Sequence, residues 1–163
     1  MRKRKPKVRI IAPDPRYGDA QVTRFVNMLM LDGKKSTAFN VFYDAMDIID
    51  EKTEETTPHE TFQKAIKNVM PQVEVRSRRI GGATFQIPTE IRPDRRLSVA
   101  MKWLIKYTRQ RSGKGIATKL AAEILAASKG EGSSVKKKDD THRMAEANRA
   151  FAHFGRRRSK PKK

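Results

Sequence analysis

Apolar residues recur with a helical period through most of this chain, and the period changes to two at one place, near residue 73. An α-helix repeats every 3.6 residues, so apolar residues three and four positions apart form a stripe that one face of the helix buries. Such a pattern predicts several amphipathic helices that share one core. Its clearest example places apolar residues at i, i+3, i+4, i+7, i+8 and i+11: Ala38, Val41, Phe42, Ala45, Met46 and Ile49.

Helix boundaries are indicated by capping residues, prolines and glycines. Asp19 is a predicted N-cap, and Thr57-Pro58-His59-Glu60 has a capping Thr, a Pro at the first helical position and a Glu that completes a capping box. Pro71 and the glycines at 113 and 115 are predicted to end helices. The six predicted helices cover about 19–31, 36–50, 58–70, 93–111, 116–129 and 135–154, the last with Met144, Ala147, Phe151 and Phe154 on its apolar face.

One segment of about 72–88 alternates between apolar and polar residues instead. Val73 and Val75 alternate with Glu74 and Arg76, and after a Gly-Gly pair at 81–82 the alternation resumes. A glycine pair between two alternating runs is typical of a two-residue β-hairpin turn. We therefore predict a mainly α fold, a six-helix body with one protruding β-hairpin between the third and fourth helices.

The charge distribution indicates a polyanionic partner. Lys and Arg number 37 against 18 Asp and Glu, a formal net charge of +19 that would repel itself in a compact fold. Residues 76–114 alone hold eleven basic and two acidic residues, and both chain ends are basic. We expect a single domain over 1–163, with a basic N-terminal arm at 1–15, a helical body at 16–154 and a basic C-terminal tail at 155–163.

The sequence contains no pattern typical of an enzyme, a metal site or a membrane span. It lacks cysteine, its three histidines are far apart, and His142 with Glu146 would supply only two of the ligands that zinc requires. No apolar run approaches the length of a membrane-spanning helix. We expect no catalytic activity, no cofactor, no membrane association and a cytoplasmic location.

Arginines crowd the predicted hairpin and the start of the fourth helix. Guanidinium groups pair with phosphate oxygens, and a helix N-terminus with cations around it favours a bound phosphate. Trp103 and Tyr107 follow one turn apart and either stack on nucleic-acid bases or pack in the protein. The basic residues of this region that we expect to contact RNA or DNA are Arg76, Arg78, Arg79, Arg92, Arg95, Arg96, Arg109, Arg111 and Lys114.

Several extended motifs resemble the small-subunit ribosomal protein seven family, in its bacterial form. The resemblance covers Thr23–Ala38, Val41–Ala45, the hairpin at Val75–Pro88, Arg92–Arg96 and the C-terminal segment Ala121–Phe154, which includes Lys136–Asn148. It extends in register over roughly residues 1–154. Bacterial members often end soon after the position of Phe154, whereas here Gly155 and a basic tail follow, so the resemblance implies nothing about that tail.

The resemblance implies a structural component of the small ribosomal subunit. Family members bind the 3′ domain of 16S-type rRNA, organise assembly of the subunit head, and lie near the exit-site tRNA and the mRNA path. The implied partners are these RNAs and neighbouring proteins of the head and platform, without homo-oligomers, in the cytoplasmic ribosome. By position, it adds Arg2, Lys3, Arg4, Lys5, Lys7, Arg9, Lys34 and Lys35 as rRNA contacts, and Gly81, Gly82, Ala83, Lys137 and Arg143 as residues near tRNA and mRNA.

Composition alone leaves an alternative, an architectural DNA-binding protein with an arginine β-ribbon. Such proteins commonly dimerise through a helical body, whereas the six helices predicted here are enough for a core of their own. Treating a co-purified nucleic acid with ribonuclease and with deoxyribonuclease would distinguish the two.

Overall fold

The computed structural model describes residues 10–53 and 56–155, and within them it confirms the mainly helical architecture with a hairpin after the third helix. No helix in these ranges is both long and apolar enough to cross a bilayer. The elements in chain order are α1 (Ala20–Leu29), α2 (Lys35–Asp50), α3 (Pro58–Val69), β1 (Val73–Ile80), β2 (Ala83–Glu90), α4 (Pro93–Gln110), α5 (Ile116–Ser128), α6 (Ser133–Ala147) and a terminal 3₁₀ segment (Arg149–Gly155).

Both predicted N-caps are present. The Asp19 carboxylate accepts a hydrogen bond from the Gln21 amide at 2.7 Å, and the Thr57 hydroxyl accepts one from the Glu60 amide at 3.3 Å. The Glu60 carboxylate in turn accepts from the Thr57 amide, which completes the predicted capping box. These side chains satisfy amides that a helix leaves unpaired at its first turn.

The core lies where the apolar stripes of the helices meet. Phe25, Phe42 and Phe62 are fully buried, and their ring centroids are 5.1 to 5.8 Å apart in edge-to-face or tilted arrangements. Met101 and Leu104 of α4 belong to the same core, as do apolar side chains of α5. Aromatic pairs at these distances add to the free energy that burial of their area supplies.

A polar cluster attaches the segment before α1 to this core. Asp14 is buried and accepts hydrogen bonds from the Tyr43 hydroxyl at 2.7 Å and from the Tyr17 amide at 2.9 Å. Burial, together with the neighbouring Asp14 carboxylate, raises the pKa of Tyr43 to about 12. The chain is therefore fastened to α2 from residue 14 onward.

The hairpin has the predicted turn and a fixed register. Ile80 pairs with Ala83, and Gly81 and Gly82 between them have φ angles of +56° and +89°. Two consecutive residues in the left-handed region define the turn that suits the twist of a β-hairpin, and glycine adopts it without strain. The strands extend to Glu90, two residues beyond the predicted limit of 88.

The prediction for the last helix was wrong in two respects. It ends at Ala147, not at Phe154, and Met144 is 48% exposed, while α6 buries Val135, Thr141 and Ala145. The Asn148 side chain donates to the Met144 carbonyl at 2.8 Å, an alternative to continuing the helical ladder. The chain then turns to the hairpin, where Phe151 and Phe154 lie 5.2 and 5.9 Å from Phe85, ring to ring.

The first helix also ends earlier than predicted, at Leu29 and not at about Leu31. Met30 has extended backbone angles, and Leu31 begins a tight turn closed by a hydrogen bond from the Lys34 amide to the Leu31 carbonyl at 2.9 Å. Asp32 and Gly33 at its centre have φ angles of +53° and +74°. This Asp-Gly turn is favoured by both residue types, which tolerate the left-handed region.

Candidate nucleic-acid interface

The exposed side of α4 presents a row of four basic residues, which we call the α4 basic row: Arg95, Lys102, Lys106 and Arg109. At 100° per residue they fall within an arc of about 60°, and all four are exposed. The opposite face buries Met101, Leu104 and Thr108. Arg24 of α1 donates to the Ser98 hydroxyl at 3.0 Å, which brings a further cation beside the row.

Sequence reasoning missed Lys102 and Lys106. Both belong to the basic segment 76–114, but neither lies in a short cluster of basic residues, which was the feature that singled out the others. The signal that identifies them is helical spacing. Lys102 is seven residues after Arg95 and Lys106 eleven, so a helix places all three on one face.

The arginines at the start of α4 differ in their partners. Arg92 is exposed at the N-cap position, without a capping hydrogen bond from its side chain. Arg96 donates to the Ile91 carbonyl at 2.8 Å and to the Glu90 carboxylate at 3.0 Å. Arg96 therefore fastens the end of β2 to α4, a structural contact that the pattern of basic residues does not reveal.

Glu74 joins the base of the hairpin to α4. Its carboxylate accepts hydrogen bonds from Arg95, at 3.1 and 3.2 Å, and from Arg76. Burial raises the pKa of Glu74, but these two guanidinium groups outweigh it and hold the pKa below its usual value. The side chains of Arg76 and Arg95 remain 56% and 53% exposed, so both still present donors to solvent.

The three hairpin arginines do not share one face. Residues directly opposite one another in an antiparallel pair point to the same side, and the register places Arg76 opposite Ile87 and Arg78 opposite Phe85. Arg78 also donates to the Phe154 carbonyl at 3.1 Å. Arg79 follows Arg78 and projects from the other face, so the hairpin presents basic side chains on both sides.

The turn between α1 and α2 adds Lys34 and Lys35, both exposed. Lys34 lies with Arg109 at the rim of one surface depression, so these predicted contacts are brought together. Arg109 donates to the Leu29 carbonyl at 3.1 Å, which fixes the end of α4 against that of α1. The Lys35 ammonium is 5.7 Å from the Phe39 ring centroid.

The Arg111 side chain is 38% exposed, but an ion pair with a buried carboxylate holds its guanidinium group in place. Its guanidinium donates at 2.7 Å to Glu123, a buried carboxylate that also accepts from the Ser134 amide and hydroxyl at 3.0 and 2.7 Å. Glu123 thus caps the start of α6 and ties it to the end of α4. Lys114 lies beyond this network in the exposed turn before α5.

The residues expected near tRNA and mRNA lie on two separate surfaces. Gly81, Gly82 and Ala83 form the exposed tip of the hairpin. Arg143 is exposed on α6 beside Asp139, over the turn between α5 and α6, while His142 on another face of α6 accepts from the Gln72 amide. Lys137 is half-buried on the same helix. The structure therefore does not bring Arg143 to the hairpin tip.

Neither Trp103 nor Tyr107, the two aromatic residues of α4, is fully exposed. Trp103 is half-buried and packs against the core, and Tyr107 is half-buried too, with the Lys106 ammonium 5.9 Å from its ring centroid.

Within 10–53 and 56–155, no three metal-ligating side chains form a cluster that could hold an ion. The residues of the arm that lie outside the described ranges are Arg2, Lys3, Arg4, Lys5, Lys7 and Arg9, and those of the tail are 156–163.

The helical body with its exposed row of cations is typical of a protein that binds a polyanion. Comparison with known proteins identifies the family. The family described as Ribosomal protein S7p/S5e matches residues 1–149. The small ribosomal subunit protein uS7 of Cytophaga hutchinsonii is 61% identical over 154 residues, covering 94% of this chain and 99% of its own length. Those of Christiangramia forsetii and Flavobacterium psychrophilum are 64% and 63% identical over 156 residues, with the same coverage.

The chain therefore belongs to the ribosomal protein S7p/S5e family. Members are structural proteins of the ribosome and not enzymes, which agrees with the sequence prediction. In bacteria, proteins of this family are located in the ribosome, in the cytoplasm.

Proposed function

We propose that this chain binds the 3′ domain of small-subunit rRNA, organises assembly of the subunit head, and lies beside the exit-site tRNA and the mRNA path. The observation that supports rRNA binding is the α4 basic row, with the Asp-Gly turn at one end and the hairpin base at the other. A straight row of cations on a rigid helix suits a phosphate backbone, because phosphates also repeat at regular spacing.

The proposal divides the basic residues into three groups. Lys102, Lys106 and Lys114 are exposed and available to phosphates. Arg76, Arg78, Arg95 and Arg109 each make an intramolecular hydrogen bond, yet are exposed enough to contact RNA as well. Arg96 and Arg111 act first as structural residues, and RNA contacts through their remaining donors are secondary.

The hairpin tip is proposed as the part nearest to tRNA and mRNA. Its glycines expose backbone without side chains, which allows close approach to another surface. Neighbouring proteins of the head and platform are the proposed protein partners. Residues 1–163 are proposed to act as one rRNA-binding domain, with both basic ends adding phosphate contacts.

The salt dependence of binding tests the role of the α4 basic row. Purified full-length protein is titrated with a head-domain rRNA fragment between about 50 and 200 mM salt. A Lys102→Gln/Lys106→Gln variant should bind more weakly, with the slope of log K against log salt reduced by roughly 1.4–1.8, since each lost phosphate contact removes about 0.7–0.9. Duplex DNA of equal length should compete poorly.

A matched control removes two charges elsewhere. Lys64 and Lys67 are exposed on α3, so Lys64→Gln/Lys67→Gln makes the same change in net charge away from the row. This control should keep the slope of the unaltered protein. Equal losses in both variants would mean that only net charge matters, and duplex DNA competing as well as rRNA would favour the architectural alternative.

A further inference from the structure

The Asp-Gly turn at 31–34 forms one wall of an apolar depression. The side chains of Leu31, Val41 and Ile116 line it, together with the end of α1. Leu31 is 60% exposed, which is unusual for a large aliphatic side chain at a tight, well-defined turn. The turn cannot fold Leu31 inward, because Asp32 and Gly33 hold left-handed backbone angles and the Lys34 amide closes on the Leu31 carbonyl.

The rim of this depression is polar and mainly basic. Lys34 and Arg109 stand at its edge, and the Asp32 carboxylate and Thr37 hydroxyl complete it. Arg109 is anchored by the Leu29 carbonyl, so its position does not depend on a ligand. An apolar floor with two cations at the rim matches a nucleotide, whose base is flat and largely apolar on its faces while its phosphate is anionic.

We infer that this depression binds a single unpaired RNA base, seated on Leu31, Val41 and Ile116, with its flanking phosphate contacted by Lys34 and Arg109. The inference rests on the proposed rRNA-binding function and names a subsite within it. Charge favours RNA over a protein side chain, because the same rim would repel basic ribosomal segments.

The Asp32 carboxylate predicts which bases fit. A carboxylate accepts hydrogen bonds and donates none, so it pairs with the exocyclic amino groups of guanine, adenine or cytosine. Uracil offers a single imino N–H between two carbonyl oxygens, so a carboxylate that accepts from it is also brought close to those oxygens and binds it less favourably. The bound base should therefore have an exocyclic amino group.

The test separates base contact from phosphate contact. Full-length protein and a Leu31→Ala variant are titrated with the head-domain rRNA fragment at several salt concentrations, and base reactivity is mapped with and without protein. Leu31→Ala should lower affinity about tenfold, since roughly half of the transfer free energy of a Leu side chain is lost. The slope against salt should be unchanged, and one amino-bearing base should lose its protection.

Three further variants complete the experiment. Lys34→Gln should lower the salt slope by roughly 0.7–0.9 and keep the base protected. Met144→Ala removes a similarly exposed apolar side chain from α6 and should bind as the unaltered protein does. Leu31→Met should restore most of the affinity, because a flexible apolar chain refills the same space. Circular dichroism and thermal melting confirm that each variant is folded.

The outcomes distinguish this inference from the function on which it rests. If the unaltered protein binds the fragment with a steep salt dependence but Leu31→Ala changes neither affinity nor base protection, the base subsite is wrong and rRNA binding stands. If Leu31→Ala instead abolishes only a crosslink to a neighbouring protein in reconstituted subunits, the depression is a protein contact. If the unaltered protein fails to bind the fragment, both are wrong.

Discussion

The aromatic core and the hairpin tip differ in almost every physical respect, although both are built from short, regular elements. Phe25, Phe42 and Phe62 are fully buried against one another, whereas residues 81–84 are exposed and bare of large side chains. The core stabilises the fold, and the tip is available for contact with another molecule. At these two extremes, the residues that stabilise the fold are therefore distinct from the residues that are exposed to another molecule.

The rest of the hairpin, at 73–78 and 85–90, combines buried and exposed side chains. Ile87 is fully buried, Phe85 packs on the 3₁₀ segment, and Glu74 pairs with α4 through Arg95. An unsupported two-stranded ribbon is marginal in water, so these contacts hold the hairpin in a defined direction. The strands of the hairpin therefore take part in packing, whereas the tip at 81–84 remains exposed.

Phe42→Ala should have the largest effect on stability. It deletes a buried ring that lies against four other aromatic rings, and such substitutions cost about 3–5 kcal/mol. Urea denaturation followed by circular dichroism measures the loss. Phe39→Ala, on the same helix but only half-buried, is the matched control and should cost clearly less. Equal losses would mean that the core is not centred on these rings.

Phe85→Ala should have an intermediate effect, confined to the hairpin. It removes ring contacts to Phe151 and Phe154, worth about 1–2 kcal/mol for a half-buried aromatic residue. Amide hydrogen exchange in β1 and β2 should accelerate, while the helices stay protected. Thr84→Ala, on the opposite and exposed face of the same strand, should leave exchange unchanged. Unaltered exchange in Phe85→Ala would show that the 3₁₀ segment does not support the hairpin.

Glu74 should make a smaller, pH-dependent contribution. Its pKa is lower in the folded than in the unfolded chain, so the folded state gains stability above the unfolded value of about 4.3. That gain is lost as the pH falls through the folded pKa. It should stay below about 1 kcal/mol, because both arginine partners are half-exposed and screened by solvent.

Thermal melting between pH 3 and 7 measures this contribution. Glu74→Gln should melt at a lower temperature than the unaltered protein at pH 7, and the difference should vanish near pH 3. Glu131→Gln makes the same charge change at an exposed position in the turn between α5 and α6 and is the control. A difference that persists unchanged at pH 3 would assign the effect to packing and not to the ion pairs.

Replacing residues 79–84 with Asn-Gly should have the smallest effect on stability, within about 0.5 kcal/mol. Arg78 and Phe85 remain paired across the new turn, and Asn-Gly suits the same turn type. If the tip approaches the exit site as proposed, small subunits reconstituted with this variant should assemble in normal yield yet retain less deacylated tRNA. Normal retention would restrict the hairpin to rRNA binding, and failed assembly would make it a primary binding element.

Sequence patterns predicted best those features that depend on neighbouring residues. The capping residues Asp19 and Thr57 and the Gly-Gly turn were located correctly, because each acts on backbone within three residues of itself. The end of the last helix was not located correctly, because apolar residues continue to recur with a helical period as far as Phe154. The helix ends at Ala147 instead, and Phe151 and Phe154 pack on Phe85, which lies more than sixty residues earlier in the chain.

The basic surface likewise has some features that the sequence indicates and others that it does not. Net charge and the basic segment 76–114 already indicated a polyanionic partner, and family motifs named the class of protein. Lys102 and Lys106 were open to prediction from helical spacing. The structural roles of Arg96 and Arg111 were not, because basic residues look alike in sequence whether they face RNA or a buried carboxylate.

The sequence by itself determined the number and order of the helices, the single change of period at residue 73, the Gly-Gly turn and the sign of the charge, because these follow from local backbone preferences and from composition. Tertiary structure decided which arginines are paired, that Glu74 joins two elements, and that Leu31 is displayed beside Lys34 and Arg109. An ion pair or a depression depends on the distance between segments remote in sequence, and only the packed fold sets that distance.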